Sequence, residues 1–106
     1  MVVLSHVVQT SAVTLSTEEL VLADASGGDF DITLPNANSN LGRVYYIKRL
    51  PDANNHSVNL VCGTGDTLDS QFTSILIPND PTGYIVGSTA SGQWSTFGTF
   101  DVPAMM

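Results

Sequence analysis

Apolar and polar residues alternate along most of this chain in short runs that end at glycine, proline or asparagine. In the run 30–34, Phe30, Ile32 and Leu34 are apolar and the two residues between them are polar. A period of two is typical of a strand with one buried and one solvated face. Pro35 ends the run, because proline has no N–H for the ladder, and the Asn- and Ser-rich stretch after it predicts a loop.

The next run, Arg43 to Arg49, is apolar on both sides. Val44, Tyr46 and Lys48 share one face of the predicted strand, and Tyr45 and Ile47 share the other. Such a strand belongs in the middle of a sheet. The same reasoning predicts strands within 2–9, 12–15, 19–23, 57–62, 71–77, 84–88 and 92–97, and a short β-bridge at 67–69. Residues 16–19 resemble a helix N-cap, and we interpret them as a turn, with a single helical turn as the alternative.

The elements together predict an all-β fold of about eight short strands. Turn signals recur at the spacing of roughly 8–12 residues that is typical of sandwiches and barrels, and no run keeps a 3.6-residue period. We therefore expect an antiparallel β-sandwich, with jelly-roll-like connections as one form of it. Residues 1–106 are expected to form a single β-domain, with 1–19 as an N-terminal strand or arm and 99–106 as a loosely held tail.

Charge narrows the range of partners. Ten acidic and three basic residues give a net charge of −7, which repels phosphate backbones and anionic lipids, so neither nucleic acid nor a membrane is an expected partner. The apolar N-terminus lacks the basic segment of a signal peptide. Only 12% of the residues are charged, so the surface must consist largely of uncharged polar groups, as suits an extracellular or virion-exposed protein.

Candidate nucleophiles and metal ligands are few. His56 and Cys62 would lie roughly 20 Å apart along one strand, too far for a Cys/His pair. Cys62 continues the apolar face of the predicted strand, so we expect a buried, unreactive thiol. Asp66 and Asp69 lack the spacing of a calcium loop, and turn formation explains them better. We expect no catalytic residues, no metal and no cofactor.

Four aromatic residues are candidates for stacking on a sugar ring: Trp94, Tyr45, Tyr46 and Tyr84. Asn and Gln residues nearby would bond the sugar hydroxyls. Aromatic residues in strands are more often core or cross-strand pairs, so the structural interpretation is favoured. The glycan interpretation defines the alternative function, a carbohydrate-binding module.

Several short motifs occur in a familiar order. They are Thr33-Leu34-Pro35, Gly42 to Lys48 (GRVYYIK), Gly65 to Asp69 (GDTLD) and Gly92-Gln93-Trp94. Over residues 20 to 98 their order and spacing resemble the small β-domains of tail fibres, spikes and surface fibres in bacteriophages and large DNA viruses. The resemblance implies a trimeric structural or receptor-binding domain that has no shared catalytic residues.

The function we expect is therefore a non-enzymatic virion component: a fibre head, spike or capsid decoration that contacts other virion proteins and a host-surface glycan or receptor. The sequence itself indicates a homo-oligomer, because 43–49 and 71–77 are apolar on both faces and a two-layer sandwich covers only one. The number three comes from the resemblance. A small hydrolase or lyase is a third hypothesis, and it requires a cleft that gathers carboxylates.

Overall fold

Two β-sheets packed face to face make up the domain. The computed structural model describes residues 6–79 and 82–101. Within them the ten strands are β1 (His6–Gln9), β2 (Val13–Thr14), β3 (Leu20–Asp24), β4 (Phe30–Thr33), β5 (Val44–Leu50), β6 (Val58–Val61), β7 (Thr67–Leu68), β8 (Ser74–Ile77), β9 (Thr82–Ala90) and β10 (Gln93–Asp101). A single 3₁₀ turn, Asn38–Asn40, is the helical element of the described residues.

The first six strands alternate between the sheets. The six-stranded sheet has the order β1-β3-β5-β9-β10-β7, and the four-stranded sheet has the order β2-β4-β6-β8. The chain therefore winds through three successive coils, each of which contributes one strand to each sheet. The short strand β7 and the hairpin of β9 and β10 then complete the six-stranded sheet, and β8 completes the four-stranded sheet.

The predicted all-β sandwich is confirmed. Most of its strand pairs are parallel, however, whereas the sequence predicted antiparallel pairs. Five pairs are parallel: β1–β3, β3–β5, β2–β4, β4–β6 and β7–β10. Three are antiparallel: β5–β9, β9–β10 and β6–β8. The jelly-roll-like connections are corrected with them, because jelly rolls consist of antiparallel Greek keys. The physical reason lies in the connections: residues 25–29, for example, carry the chain from β3 in one sheet to β4 in the other, so these two strands cannot form a hairpin.

The core lies between the sheets and contains the inward-facing residue of each pleat. In β5 these are Tyr45 and Ile47, and in β4 they are Phe30 and Ile32, all of them buried. Burial of aromatic and branched side chains at roughly 25 cal/mol per Å² is the main favourable term for such a domain. The fully buried Trp94 is the largest of these side chains.

Several predicted positions are confirmed within the described residues. The strand β5 lies inside its sheet between β3 and β9, and β1 lies at an edge. In the Asn-rich loop before β5, the Asn36 carboxamide oxygen accepts from the Ser39 N–H at 3.2 Å. The strand β10 continues to Asp101, beyond the expected end at Phe97. The rest of the expected tail, 102–106, and residues 1–5 of the expected arm lie outside the described residues.

Candidate functional site

Two of the four candidate sugar-binding aromatics belong to the core. Tyr45 and Trp94 are fully buried, and their ring centroids are 5.7 Å apart at an interplanar angle of 36°. The Tyr45 hydroxyl donates to the Ser16 carbonyl at 2.7 Å, and burial raises the pKa of Tyr45 to about 12. The indole N–H of Trp94 donates to the Pro35 carbonyl at 3.1 Å. The glycan interpretation is therefore corrected for these two residues, because neither ring has an accessible face.

The other two tyrosines lie on opposite faces of the six-stranded sheet. Tyr84 pairs with the inward-facing Ile47 and packs against the core. Tyr46 pairs with Ile85 on the outer face and is half-buried. Tyr46 is thus the one of the four whose ring lies on the outside of the sheet, and a sugar contact at Tyr46 stays a prediction.

A groove lies beside Tyr46 at the start of β5. Its volume is about 770 Å³, within the range of small-ligand sites. The lining residues come from the segment before β3 and from the loop that leads into β5: Thr17, Glu19, Ser39, Asn40, Leu41, Gly42, Arg43, Val44 and Tyr46. The groove therefore combines hydroxyl, carboxamide, carboxylate and guanidinium groups with one aromatic ring. Sequence reasoning missed it, because the two segments are more than twenty residues apart and only the fold brings them together.

Cys62 and His56 occupy separate structural roles. Cys62 is buried, as the sequence predicts, and burial, followed by the nearby Asp66 carboxylate, raises the pKa of its thiol. The His56 ring is held by its Nδ1 atom, which lies 2.7 Å from an Asp52 carboxylate oxygen and 2.6 Å from the Ala25 carbonyl. Because both neighbours are acceptors, Nδ1 carries the proton.

Asp52 is the centre of a cluster that the sequence did not reveal. Its carboxylate accepts from the backbone N–H of Asn54 at 3.1 Å and of His56 at 2.9 Å. The backbone hydrogen bond from His56 is the main cause that lowers the pKa of Asp52. The Asn79 carboxamide bonds the Asp52 backbone at both its N–H and its carbonyl, at 2.8 and 2.7 Å. This cluster fixes the loop between β5 and β6 against the end of β8.

Arg49 extends the same cluster into the core. Its guanidinium is 3.9 Å from the Asp52 carboxylate and donates to the carbonyls of His56 and Ile77. Among the described residues, the Arg49 Nε is the one buried side-chain nitrogen or oxygen that has no hydrogen-bond partner. The side chain therefore spans from the six-stranded sheet to the four-stranded sheet and ties their ends together.

The aspartates of the predicted turns also bind protein groups. The Asp66 carboxylate accepts from the Ala37 N–H at 3.0 Å. The Asp69 carboxylate accepts from the backbone N–H of Thr96 at 2.9 Å and from its hydroxyl at 2.7 Å. Within residues 6–79 and 82–101, no group of three or more His, Cys, Asp or Glu residues is placed to hold a metal ion. Both carboxylates thus hold distant segments of the chain, whereas the sequence predicted that they would form local turns.

The outer faces of the two sheets differ in chemistry. We call the outer surface of the six-stranded sheet the apolar face. It presents Val8, Leu20, Leu22, Val44, Tyr46, Ile85 and Phe97, together with the polar residues Asp24, Lys48, Thr89 and Ser95. We call the outer surface of the four-stranded sheet the polar face; it presents Thr14, Asp31, Thr33, Asn59, Val61, Ser74 and Leu76. The sandwich therefore has one side suited to water and one side suited to a partner.

Comparison with known proteins does not assign the chain to a family. No family model matches the chain, and no curated protein matches it. The described part of the chain contains no helix that is long and apolar enough to cross a membrane.

Proposed function

We propose that this chain is a non-enzymatic structural component of a virion, a fibre head, spike or surface decoration that assembles as a homotrimer and contacts a host-surface receptor. The observation that carries the proposal is the use of the polar side chains. Asp52, Asp66 and Asp69, the carboxylates best placed for chemistry, hold loops through backbone donors. Fixed loops on a two-layer scaffold suit a domain that must keep its shape during assembly.

The viral part of the proposal depends on the sequence motifs, and the fold accommodates them. The Trp94 indole N–H donates to the Pro35 carbonyl, and the N–H groups of Thr67 and Asp69 donate to the carbonyls of Gly92 and Trp94. Thus the motif at 92–94 contacts both the motif at 33–35 and the motif at 65–69. Their shared role is structural, which supports a resemblance between domains of similar architecture.

Mass in solution tests the assembly. Light scattering coupled to size exclusion should give three times the 11.2 kDa chain mass at micromolar concentration. A dimer would contradict the trimer, and a monomer would contradict assembly altogether. Immunogold labelling of purified particles with an antibody against this chain tests the virion location, and unlabelled particle surfaces would count against it.

A carbohydrate-binding module is the second candidate, and the groove at Tyr46 is the observation that favours it. Tyr46 offers a ring face, and Asn40 and Arg43 offer planar hydrogen-bonding groups beside it. Saturation-transfer NMR with lactose and 3′-sialyllactose as probes would detect binding. Tyr46→Ser should abolish the signal, whereas Phe72→Ser, which removes an exposed aromatic elsewhere, should keep it. Absence of signal with both sugars would reject this candidate.

A further inference from the structure

We infer that the apolar face is the surface through which copies of this chain bind one another. The inference depends on the proposed function only in its assumption of assembly, and it adds which surface is buried. It also identifies the residues that carry the contact: Val44 and Phe97 at the centre, with Val8, Leu22 and Tyr46 around them.

The two outer faces of the sandwich differ in polarity. On the polar face, the Asn59 carboxamide donates to the Asp31 carboxylate at 3.2 Å, and threonine and serine occupy neighbouring positions. These groups are satisfied by one another and by water. The apolar face instead presents aliphatic and aromatic side chains on four neighbouring strands, β3, β5, β9 and β10, with Val8 on the edge strand β1. Val8, Val44 and Phe97 are the exposed members of this set, and exposed apolar side chains grouped on one face often mark a protein–protein contact.

Phe97 gives this face its most exposed large side chain. The register between β9 and β10 shifts between Thr96 and Gly98, so Phe97 lies at an irregularity in the strand. Its ring covers Gly87: a Cβ built on Gly87 would lie 2.6 Å from the Phe97 Cε2 atom and 3.4 Å from the Val44 Cγ2 atom. Glycine at this position thus lets the ring rest on the sheet next to Val44. A positioned aromatic ring that is 60% exposed is typical of the residues that dominate binding energy once a partner covers them.

Charge indicates that the partner is a second copy. Each chain carries a net charge of −7, so two copies repel each other unless they meet where acidic groups are scarce. Two described acidic residues lie at the margins of the apolar face, Asp24 at the end of β3 and Glu19 in the groove beside Tyr46, and the Lys48 side chain on this face is buried. A basic partner would be drawn to the acidic loops instead.

The size of the face also fits a contact between copies. The domain measures 37 × 34 × 20 Å, and the two layers account for the short dimension. The broad side is thus larger than the roughly 800 Å² that each partner buries in a stable interface of standard size. Several copies arranged around a closed symmetry axis would each bury part of it.

A matched pair of variants tests the inference. Val44→Glu places a carboxylate on the apolar face, where the native side chain is 39% exposed. Leu76→Glu makes the same chemical change on the polar face, where the side chain is 57% exposed. Light scattering should show Val44→Glu shifted to the 11.2 kDa monomer, and Leu76→Glu at the mass of the natural protein. Circular dichroism establishes that both variants are folded.

Hydroxyl-radical footprinting of the unaltered chain provides a measurement that needs no variant. Dilution from an assembled to a dissociated sample should raise the oxidation rate of Phe97 severalfold. Phe72 is 46% exposed and lies outside the apolar face, so its rate should stay constant and serves as the internal control.

The outcomes separate this inference from the proposed function. An assembled protein in which Phe97 stays unprotected, or in which Leu76→Glu dissociates the oligomer and Val44→Glu does not, overturns the inference and leaves the structural role intact. A monomeric natural chain at all concentrations overturns the assembly and the inference together.

Discussion

At the scale of single residues, Asp52 shows how one carboxylate can hold a loop. Its oxygens accept from two backbone N–H groups and from the protonated Nδ1 of His56, and Arg49 lies 3.9 Å away. The backbone hydrogen bond from His56 is the main cause that holds the pKa of Asp52 below its usual value of 3.8, and the Asn54 N–H and the His56 ring also lower it. Because these hydrogen bonds require the charged carboxylate, the stability of the loop after β5 depends on pH.

We predict that Asp52 makes the fold sensitive to acid. A carboxyl whose folded pKa lies below its unfolded value stabilises the protein above about pH 4, and that contribution is lost as the pH falls through the folded pKa. Urea unfolding at a series of pH values between neutral and strongly acidic should therefore show a smaller loss of stability for Asp52→Asn than for the natural chain. Asp31→Asn, on the exposed polar face, serves as the control and should keep the natural acid dependence. Equal slopes for Asp52→Asn and the natural chain would contradict the prediction.

At the scale of elements, the loop between β4 and β5 is fixed from three directions. The Asp66 carboxylate binds the Ala37 N–H, the Ser88 hydroxyl donates to the Ala37 carbonyl at 2.9 Å, and Trp94 donates to Pro35. Ala37 is itself fully buried. The backbone groups of this buried residue are thus satisfied by side chains from β9 and from the turn before β7, so the loop behaves as part of the core.

We predict that Asp66→Ala destabilises the domain by about 1–3 kcal/mol, because it leaves the buried Ala37 N–H without a partner. Denaturant unfolding measures the change. Asp31→Ala removes an exposed carboxylate that accepts from the Asn59 carboxamide on the polar face, and its effect should stay within about 0.5 kcal/mol. Similar losses in the two variants would show that Asp66 does not fix the loop.

The elements also show where sequence reasoning succeeds and where it stops. The period-two pattern correctly separated the two faces of β5, since Tyr45 and Ile47 are buried and Val44 is exposed. The same pattern is produced by parallel and antiparallel strands, so it left the pairing direction undetermined. The groove at Tyr46 and the Asp66–Ala37 contact join residues about thirty positions apart, and no local signal encodes such distances.

At the scale of the whole molecule, Cys62 reports on the opening of the sandwich. Its side chain is 8% exposed, and burial raises the pKa of its thiol, so both access and ionisation are reduced in the folded state. The N–H of Cys62 also donates to the Thr73 carbonyl at 2.8 Å, which fixes the end of β6 against the segment before β8. Reaction of this thiol thus requires the four-stranded sheet to open.

We predict that a thiol reagent labels Cys62 at least about a hundredfold more slowly in the native protein than in urea, because the opened state of a stable domain is rare. Absorbance of the released chromophore gives the rate. A destabilising variant that leaves the surroundings of the thiol unchanged, such as Asp52→Asn, should label faster, and Leu76→Glu should label at the native rate. Native labelling as fast as in urea would show that the thiol is accessible.

The strand order requires β5 to pair with a strand that is synthesised much later. The strand β9 lies between β5 and β10, although it begins only at Thr82. Until a ribosome has delivered β9, β5 has an unpaired edge on the side opposite its parallel partner β3. Pairings between such distant segments close slowly, on the order of milliseconds to seconds for domains rich in non-local contacts. Nascent chains thus pass through a period in which a long apolar strand can pair with the wrong neighbour, and low temperature or chaperones should raise the yield of correctly formed protein.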